Sequence, residues 1–204
     1  MDFAELFLNA CQEAIEDLDH QSIEEAVLTL RQIRQDSGRL FVAGSGGGAG
    51  HASHAVCDFR KLCDIDAYAP YDNTTELTAR VNDEGWDSSL SNSLKVSRLC
   101  DRDGLLLFSV GGGDEDRKIS TNLVSAAKYA KSRATKVIAI VGRDGGYLGK
   151  HADVAILVPP VNNDLVTPIT EGLQAVIWHL LVSHPLLAQN PAKWEAQATQ
   201  PQAT

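Results

Sequence analysis

A theme repeated four times constrains this chain most: a short apolar run that stops at glycine or proline. Arg39–Ala43 leads into Gly44-Ser-Gly-Gly-Gly-Ala-Gly50, and Gly104–Phe108 leads into Ser109-Val-Gly-Gly-Gly113. Lys136–Val141 leads into Gly142-Arg-Asp-Gly-Gly146, and Val154–Val158 leads into Pro159-Pro160. Short runs that are apolar throughout read as strands covered on both faces. Helix-like stretches at 50–63, 87–100, 119–133 and 168–183 separate them, and Ala67–Pro70 offers a fifth strand. Strands alternating with helices predict an α/β fold with a parallel sheet.

Two helices precede this array. Phe3, Leu6, Phe7, Ala10, Ile15 and Leu18 recur at helical spacing over residues 3–18. A second helix is expected from Ser22 to Gln35, with Ser22 as N-cap and Glu25 completing a capping box. With 204 residues and no internal linker, one domain is expected over 1–190. The polar stretch 191–204 reads as a flexible tail.

Charge and cysteine usage narrow the function. The formal net charge is −9 and no Lys/Arg run exists, which argues against nucleic-acid binding. An anionic substrate then needs local cations or backbone N–H groups. Cys11, Cys57, Cys63 and Cys100 form no CxxC pair and read as reduced thiols of a cytoplasmic protein. The N-terminal stretch lacks the basic start of a signal peptide. No apolar run approaches the ~18 residues of a membrane span, and the longest, Ala175–Val182, is interrupted by His179.

Ligands of open parallel sheets bind beyond the carboxyl ends of the strands, where three of the loops here are glycine-rich. Glycine lets a ligand approach the backbone, and the helix starts that follow offer N–H groups to an anion. Gly44–Gly50 can be read as a variant of the dinucleotide fingerprint GxGxxG/A. Neither Asp66 nor Asp72 clearly supplies its acidic companion, and the other two glycine loops stay unexplained, so a shared small-molecule cup is the better reading. The helix launched from Gly44–Gly50 carries His51, His54 and Asp58. His54 and Asp58 lie one turn apart on one face, which suits a metal pair, a base with its partner, or a plain surface pair. The late apolar helix carries Glu171, Gln174 and His179. The plainer alternatives there are that Glu171 caps the helix start, His179 is a hydrogen-bonded core histidine, and His184 ends the helix.

Val42–Asp58 resembles the first loop and helix of the sugar isomerase (SIS) domain, and more narrowly that of the sedoheptulose 7-phosphate isomerases. Val81-Asn-Asp-Glu-Gly-Trp86, Val141–Gly146 and Thr170–His179 follow in the family's order. The resemblance spans about residues 3–185. It implies a three-layer, flavodoxin-like fold with a five-stranded parallel sheet and N-terminal helices that pack an oligomer, usually a tetramer. It implies conversion of sedoheptulose 7-phosphate, a ketose, to an aldose heptose 7-phosphate, with zinc near the reacting carbons. The family's metal and catalytic positions fall on His54, Asp58, Glu171 and His179, and its Asn-Asp pair on Asn82 and Asp83. Substrate would be held by Ser45, Gly46, Gly47, Gly48, Asn82, Asp83, Ser109, Gly111, Gly112 and Gly113.

An enediol exchange needs a base, for which Asp58 or Glu171 serves, and an acid such as His179. Zinc or another divalent transition metal would polarise the carbonyl. Eight residues of helix rise about 12 Å, so Glu171 and His179 share one ion only if both reach inward or a neighbouring subunit supplies one. The chain departs from the family at Ser45 for Asn, Gly48 for Ser, Asp58 for Glu and Glu171 for Gln, and His51 is also unusual. The loop after the middle strand keeps only Ser109 of the usual hydroxyls and adds Asp114 and Glu115. Phosphate would then rest on the N–H groups of Gly111–Gly113, helped by Arg117 or Lys118. That altered loop motivates the rival expectation of a non-catalytic SIS protein that binds a sugar phosphate or serves as a regulator or assembly factor.

Overall fold

Alternate side chains of the three inner strands enter two separate apolar cores. Leu40, Val42, Leu106, Phe108, Ile138 and Ile140 face one core, and Phe41, Ala43, Leu105, Leu107, Val137 and Ala139 face the other. This explains the apolar runs: a strand covered on both sides has no solvent face. Leu105, Leu106, Leu107 and Phe108 are all fully buried, each contributing roughly 2 kcal/mol of apolar transfer.

The computed structural model describes residues 2–194; positions 195–204 of the expected tail lie outside the described residues. The strands are β1 (Arg39–Gly44), β2 (Asp66–Tyr68), β3 (Gly104–Ser109), β4 (Lys136–Val141) and β5 (Val154–Leu157). They form a five-stranded, all-parallel sheet in the order β2-β1-β3-β4-β5. Helices α1 (Phe3–Glu16), α2 (His20–Gln35), α3 (Gly47–Cys63) and α8 (Val166–Ser183) cover one face. Helices α5 (Trp86–Val96), α6 (Thr121–Ser132) and α7 (Gly146–His151) cover the other. The strand order reverses between β1 and β3. That switch point brings the loops after these two strands to opposite sides of one crevice.

Several local expectations are corrected. Helix α2 begins at His20, because the Asp19 carboxylate accepts from the Gln21 N–H at 3.0 Å. Ser22 is therefore not the N-cap: it lies inside the helix and donates to the Asp19 carbonyl. Helix α3 begins at Gly47 rather than near Gly50, so the glycine loop itself winds into the first turn. Glu171 is interior to α8 and caps nothing, whereas His184 ends that helix as expected. Helix α4 (Thr74–Glu84) escaped the sequence because it buries no residue and so has no apolar period. An Asn73 cap and the ladder Glu76–Arg80–Glu84 hold it. Among the described residues no helix is long and apolar enough to cross a membrane.

Candidate active site

The turn between β1 and α3 forms the centre of the switch point. A Cβ on Gly44 would fall 2.4 Å from the Gly48 backbone, so the turn closes only over glycine. Gly46 has φ +60°. Ser45 lies at the crest of the turn, with Oγ 3.4 Å from Asn122 Nδ2. Asn122 is fully buried and also donates to the Tyr71 hydroxyl at 2.8 Å. Tyr71 in turn meets Ser89 at 2.9 Å, and Ser89 donates to the Trp86 carbonyl. Burial pushes the Tyr71 phenol up, and its bonds to Ser89 and Asn122 only partly offset this. It therefore stays a neutral donor, and Ser45 is held from below by a chain rooted in α5.

Helices α3 and α8 pack together behind this turn. The Glu171 carboxylate lies against Gly47: a Cβ there would sit 2.7–2.8 Å from all three carboxylate atoms. The anionic group thus rests at the amino end of a 17-residue helix, where the macrodipole favours negative charge. Further along, Asp58 Oδ2 lies 3.7 Å from His54 Nε2 and 4.0 Å from His179 Nε2. Ligand atoms of these three residues all fall within 4.8 Å of one another. His179 Nδ1 meets the Ala175 carbonyl at 2.8 Å. A proton on Nδ1 leaves Nε2 open as a ligand. The His54 ring sits edge-on to Trp178 at 4.7 Å and the His179 ring stacks on Trp178 at 3.5 Å, which fixes both imidazoles. Two imidazoles and one carboxylate with a side open to solvent suit a zinc-like ion that keeps a free position.

Of the four expected metal ligands, the structure brings these three together and leaves Glu171 out of the group. His179 is half exposed rather than a core histidine.

The glycines after β3 do something the sequence did not suggest. Gly112 has φ +69°, and a Cβ on it would fall 1.7 Å from the Gly145 carbonyl. Gly146 has φ +53°, and its Cβ would fall 2.2 Å from the Gly111 carbonyl. The Gly112 and Gly113 carbonyls accept from the N–H groups of Leu148 and Tyr147, both at 2.9 Å. Gly112 N–H donates to Ser109 Oγ at 3.1 Å. The loops after β3 and β4 are thus sewn into one seam. Beside it opens a pocket of about 710 Å³ bordered by Ser45, Ser109, Gly111, Ser120, Arg143 and Thr167.

Asn82 and Asp83 are on the exposed surface of α4, hydrogen-bonded to each other at 2.7 Å, and do not border this pocket. Asn122, Tyr71, Arg143, Lys150 and Thr167 were missed as site residues. Arg143 alone had a signal, its place inside the third glycine loop. Asn122 and Tyr71 reach the site from stretches with no motif.

A doubly wound parallel sheet with its ligand loops at the switch point is the architecture of an SIS domain. The pattern of that family matches residues 5–142, and this chain belongs to it. Within the family it is a homologue of phosphoheptose isomerases. It is 32% identical to the phosphoheptose isomerase of Neisseria gonorrhoeae over 160 residues, 74% of this chain and 77% of that protein. It is 34% identical over 154 residues to the lincomycin biosynthesis protein LmbN of Streptomyces lincolnensis, covering 72% of this chain and 56% of that relative. The chain thus spans little more than half of LmbN. Among solved structures, the phosphoheptose isomerase of N. gonorrhoeae superposes with a TM-score of 0.76 at 28% identity, covering 88% of this chain and 93% of that one. The phosphoheptose isomerase from Francisella tularensis gives a TM-score of 0.75 at 24% identity, covering 88% and 92%.

Proposed function

We infer that this protein is an aldose–ketose isomerase that converts sedoheptulose 7-phosphate to an aldose heptose 7-phosphate. The observation that carries the reading is the succession of three features along the axis of α8. Thr167 borders the strand-end pocket, Glu171 rests on Gly47, and His179 joins His54 and Asp58. Four residues of helix rise about 6 Å and twelve about 18 Å. An extended chain covers ~1.2 Å per bond, so a seven-carbon sugar phosphate, about 10 Å long, exceeds the rise from Thr167 to Glu171 and falls short of that to His179.

Glu171 is the group suited to take the C1 proton and return it to C2. Its carboxylate has no hydrogen-bonded or ion-paired partner among the described residues. As C1–H breaks and its proton passes to the Glu171 carboxylate, its electrons form the C1–C2 double bond and the carbonyl oxygen takes a proton from solvent. Reprotonation at C2, with return of the O1 proton to solvent, leaves the aldehyde. His54, Asp58 and His179 would hold zinc or another divalent ion, which when bound supplies a Lewis acid for the carbonyl oxygen. Ser45, fixed by Asn122, orients a sugar hydroxyl.

Assembly into a homo-oligomer, expected to be a tetramer, is supported by apolar residues left exposed on α1, namely Phe3, Leu6, Leu8 and Ile15. The four free cysteines support a reducing, cytoplasmic setting.

The test is incubation with sedoheptulose 7-phosphate and zinc in deuterated water. An aldose carrying deuterium at C2, lost with Glu171→Gln by about 10²- to 10⁴-fold, is expected. Neither product nor exchange would overturn the reading. The seam that occupies the β3 loop favours a second reading, a sugar-phosphate-binding protein without catalysis. Ligand binding without exchange at C1 or C2 would identify it.

A further inference from the structure

The pocket bordered by the seam contains cations that the isomerase reading leaves unused. Of the expected phosphate cradle, the N–H groups of Gly111–Gly113, that of Gly112 is turned inward. Gly112 N–H faces Ser109 Oγ, and the adjoining carbonyls accept from α7. The helper expected from sequence, Arg117, is 3.6 Å from Asp114, and Lys118 does not border the pocket. Of the carboxylates on the pocket wall, Glu115 is bonded to Lys128 at 2.6 and 2.7 Å. Asp144 turns back to its own loop, accepting from Gly146 N–H at 3.2 Å. Asp116 sits at the exposed tip of the 114–119 hairpin.

Arg143 and Lys150 border the same pocket and have neither an ion pair nor a side-chain hydrogen bond among the described residues. Arg143 stands in a left-handed conformation, φ +54°, which is disfavoured for a non-glycine residue and clusters at functional positions. A turn closed by Gly145 N–H on the Gly142 carbonyl at 2.9 Å holds it there. Its Cδ lies 3.8 Å from the point where a Cβ of Gly111 would sit, so the stem runs beside a bare backbone. Across the pocket stand Ser120, which opens the 12-residue helix α6 with its side chain uncommitted, and Thr167.

We propose that Arg143, seconded by Lys150, binds the phosphate of the substrate, so that the loop after β4 supplies the charge that the loop after β3 lacks. The proposal rests on the isomerase reading only for the identity of the sugar. A planar guanidinium offers a phosphate two parallel N–H groups and a full positive charge, which neither a lone hydroxyl nor neutral backbone N–H groups supply. In a chain of net charge −9, such a local unpaired cation is what lets a dianion enter.

The test uses inorganic phosphate and sedoheptulose 7-phosphate as probes in titration calorimetry. Arg143→Gln is expected to weaken both by about 10- to 100-fold. Arg143→Lys should recover part of the loss, and Lys118→Gln should change nothing. Unfolding curves that coincide with wild type would show that each variant is folded. In turnover, Arg143→Gln should raise KM for the phosphorylated sugar far more than it lowers kcat. Equal phosphate affinity in wild type and Arg143→Gln, or no phosphate binding to wild type, would overturn the assignment. Phosphate binding through Arg143 without isomerisation would instead overturn the isomerase reading and leave this one standing. Isomerisation with KM untouched by Arg143→Gln would do the reverse.

Discussion

On the proposed isomerase reading, the space at Gly47 governs where the Glu171 carboxylate stands. The nearest atoms a methyl group there would meet are those of the Glu171 carboxylate, the movable end of a flexible side chain. Gly47→Ala should therefore displace Glu171, lowering kcat at least about 10-fold while the melting temperature stays close to wild type. Gly44→Ala should behave oppositely: its Cβ would strike the Gly48 backbone, and a loss of about 3 kcal/mol in a denaturant titration is expected. The metal group makes an equally local claim. Asp58→Ala or His179→Ala should weaken zinc binding at least about 100-fold in chelator competition. Glu171→Gln should keep it, because Glu171 stands outside the three-residue group.

At the scale of elements, the seam between the loops after β3 and β4 is the decisive construction. Gly112→Ala would place a methyl on the Gly145 carbonyl at φ +69°, and should destabilise the protein by about 3 kcal/mol. Asn122→Ala removes the support of Ser45 and one partner of Tyr71. A cost of about 2 kcal/mol, read by chemical unfolding, is expected together with a raised KM. These elements also show what a sequence can announce. The strands were legible because two cores demand unbroken apolar runs. His54 and Asp58 were legible because one helical turn joins them. The seam was not, since three glycines in a row look the same whether they cradle an anion or admit another backbone. Helix α4 was not, since ion pairs and a cap leave no apolar period. Asn122 and Tyr71 were not, since their partnership spans 51 residues.

For the molecule as a whole, the pole of the sheet opposite the site is fastened electrostatically. Arg39 and the buried Asp103 form an ion pair at 2.7 Å. Burial pushes the Asp103 carboxyl up, but hydrogen bonds from Arg39 and the Cys100 N–H, with the Arg39 charge, bring it below the usual range. Its folded value is thus lower than its unfolded one. The stability it contributes is present above about pH 4 and is lost as pH falls through the depressed value. Asp103→Asn should cost about 2 kcal/mol at pH 7. Urea titrations should show that gap narrowing from pH 5 to pH 3; a constant gap would refute the linkage.

The hairpin 114–119 is closed at its base by two hydrogen bonds of 2.8 and 2.9 Å between Asp114 and Ile119 and rises from the seam. Its root is therefore clamped, and Glu115 is tied to Lys128 of α6, while Asp116 and Arg117 are exposed. Residues can be added or removed at the tip without moving the floor beneath. Changes of length there would reshape the rim of the pocket that Asp114, Glu115 and Asp116 border and leave the group His54, Asp58 and His179 where it is.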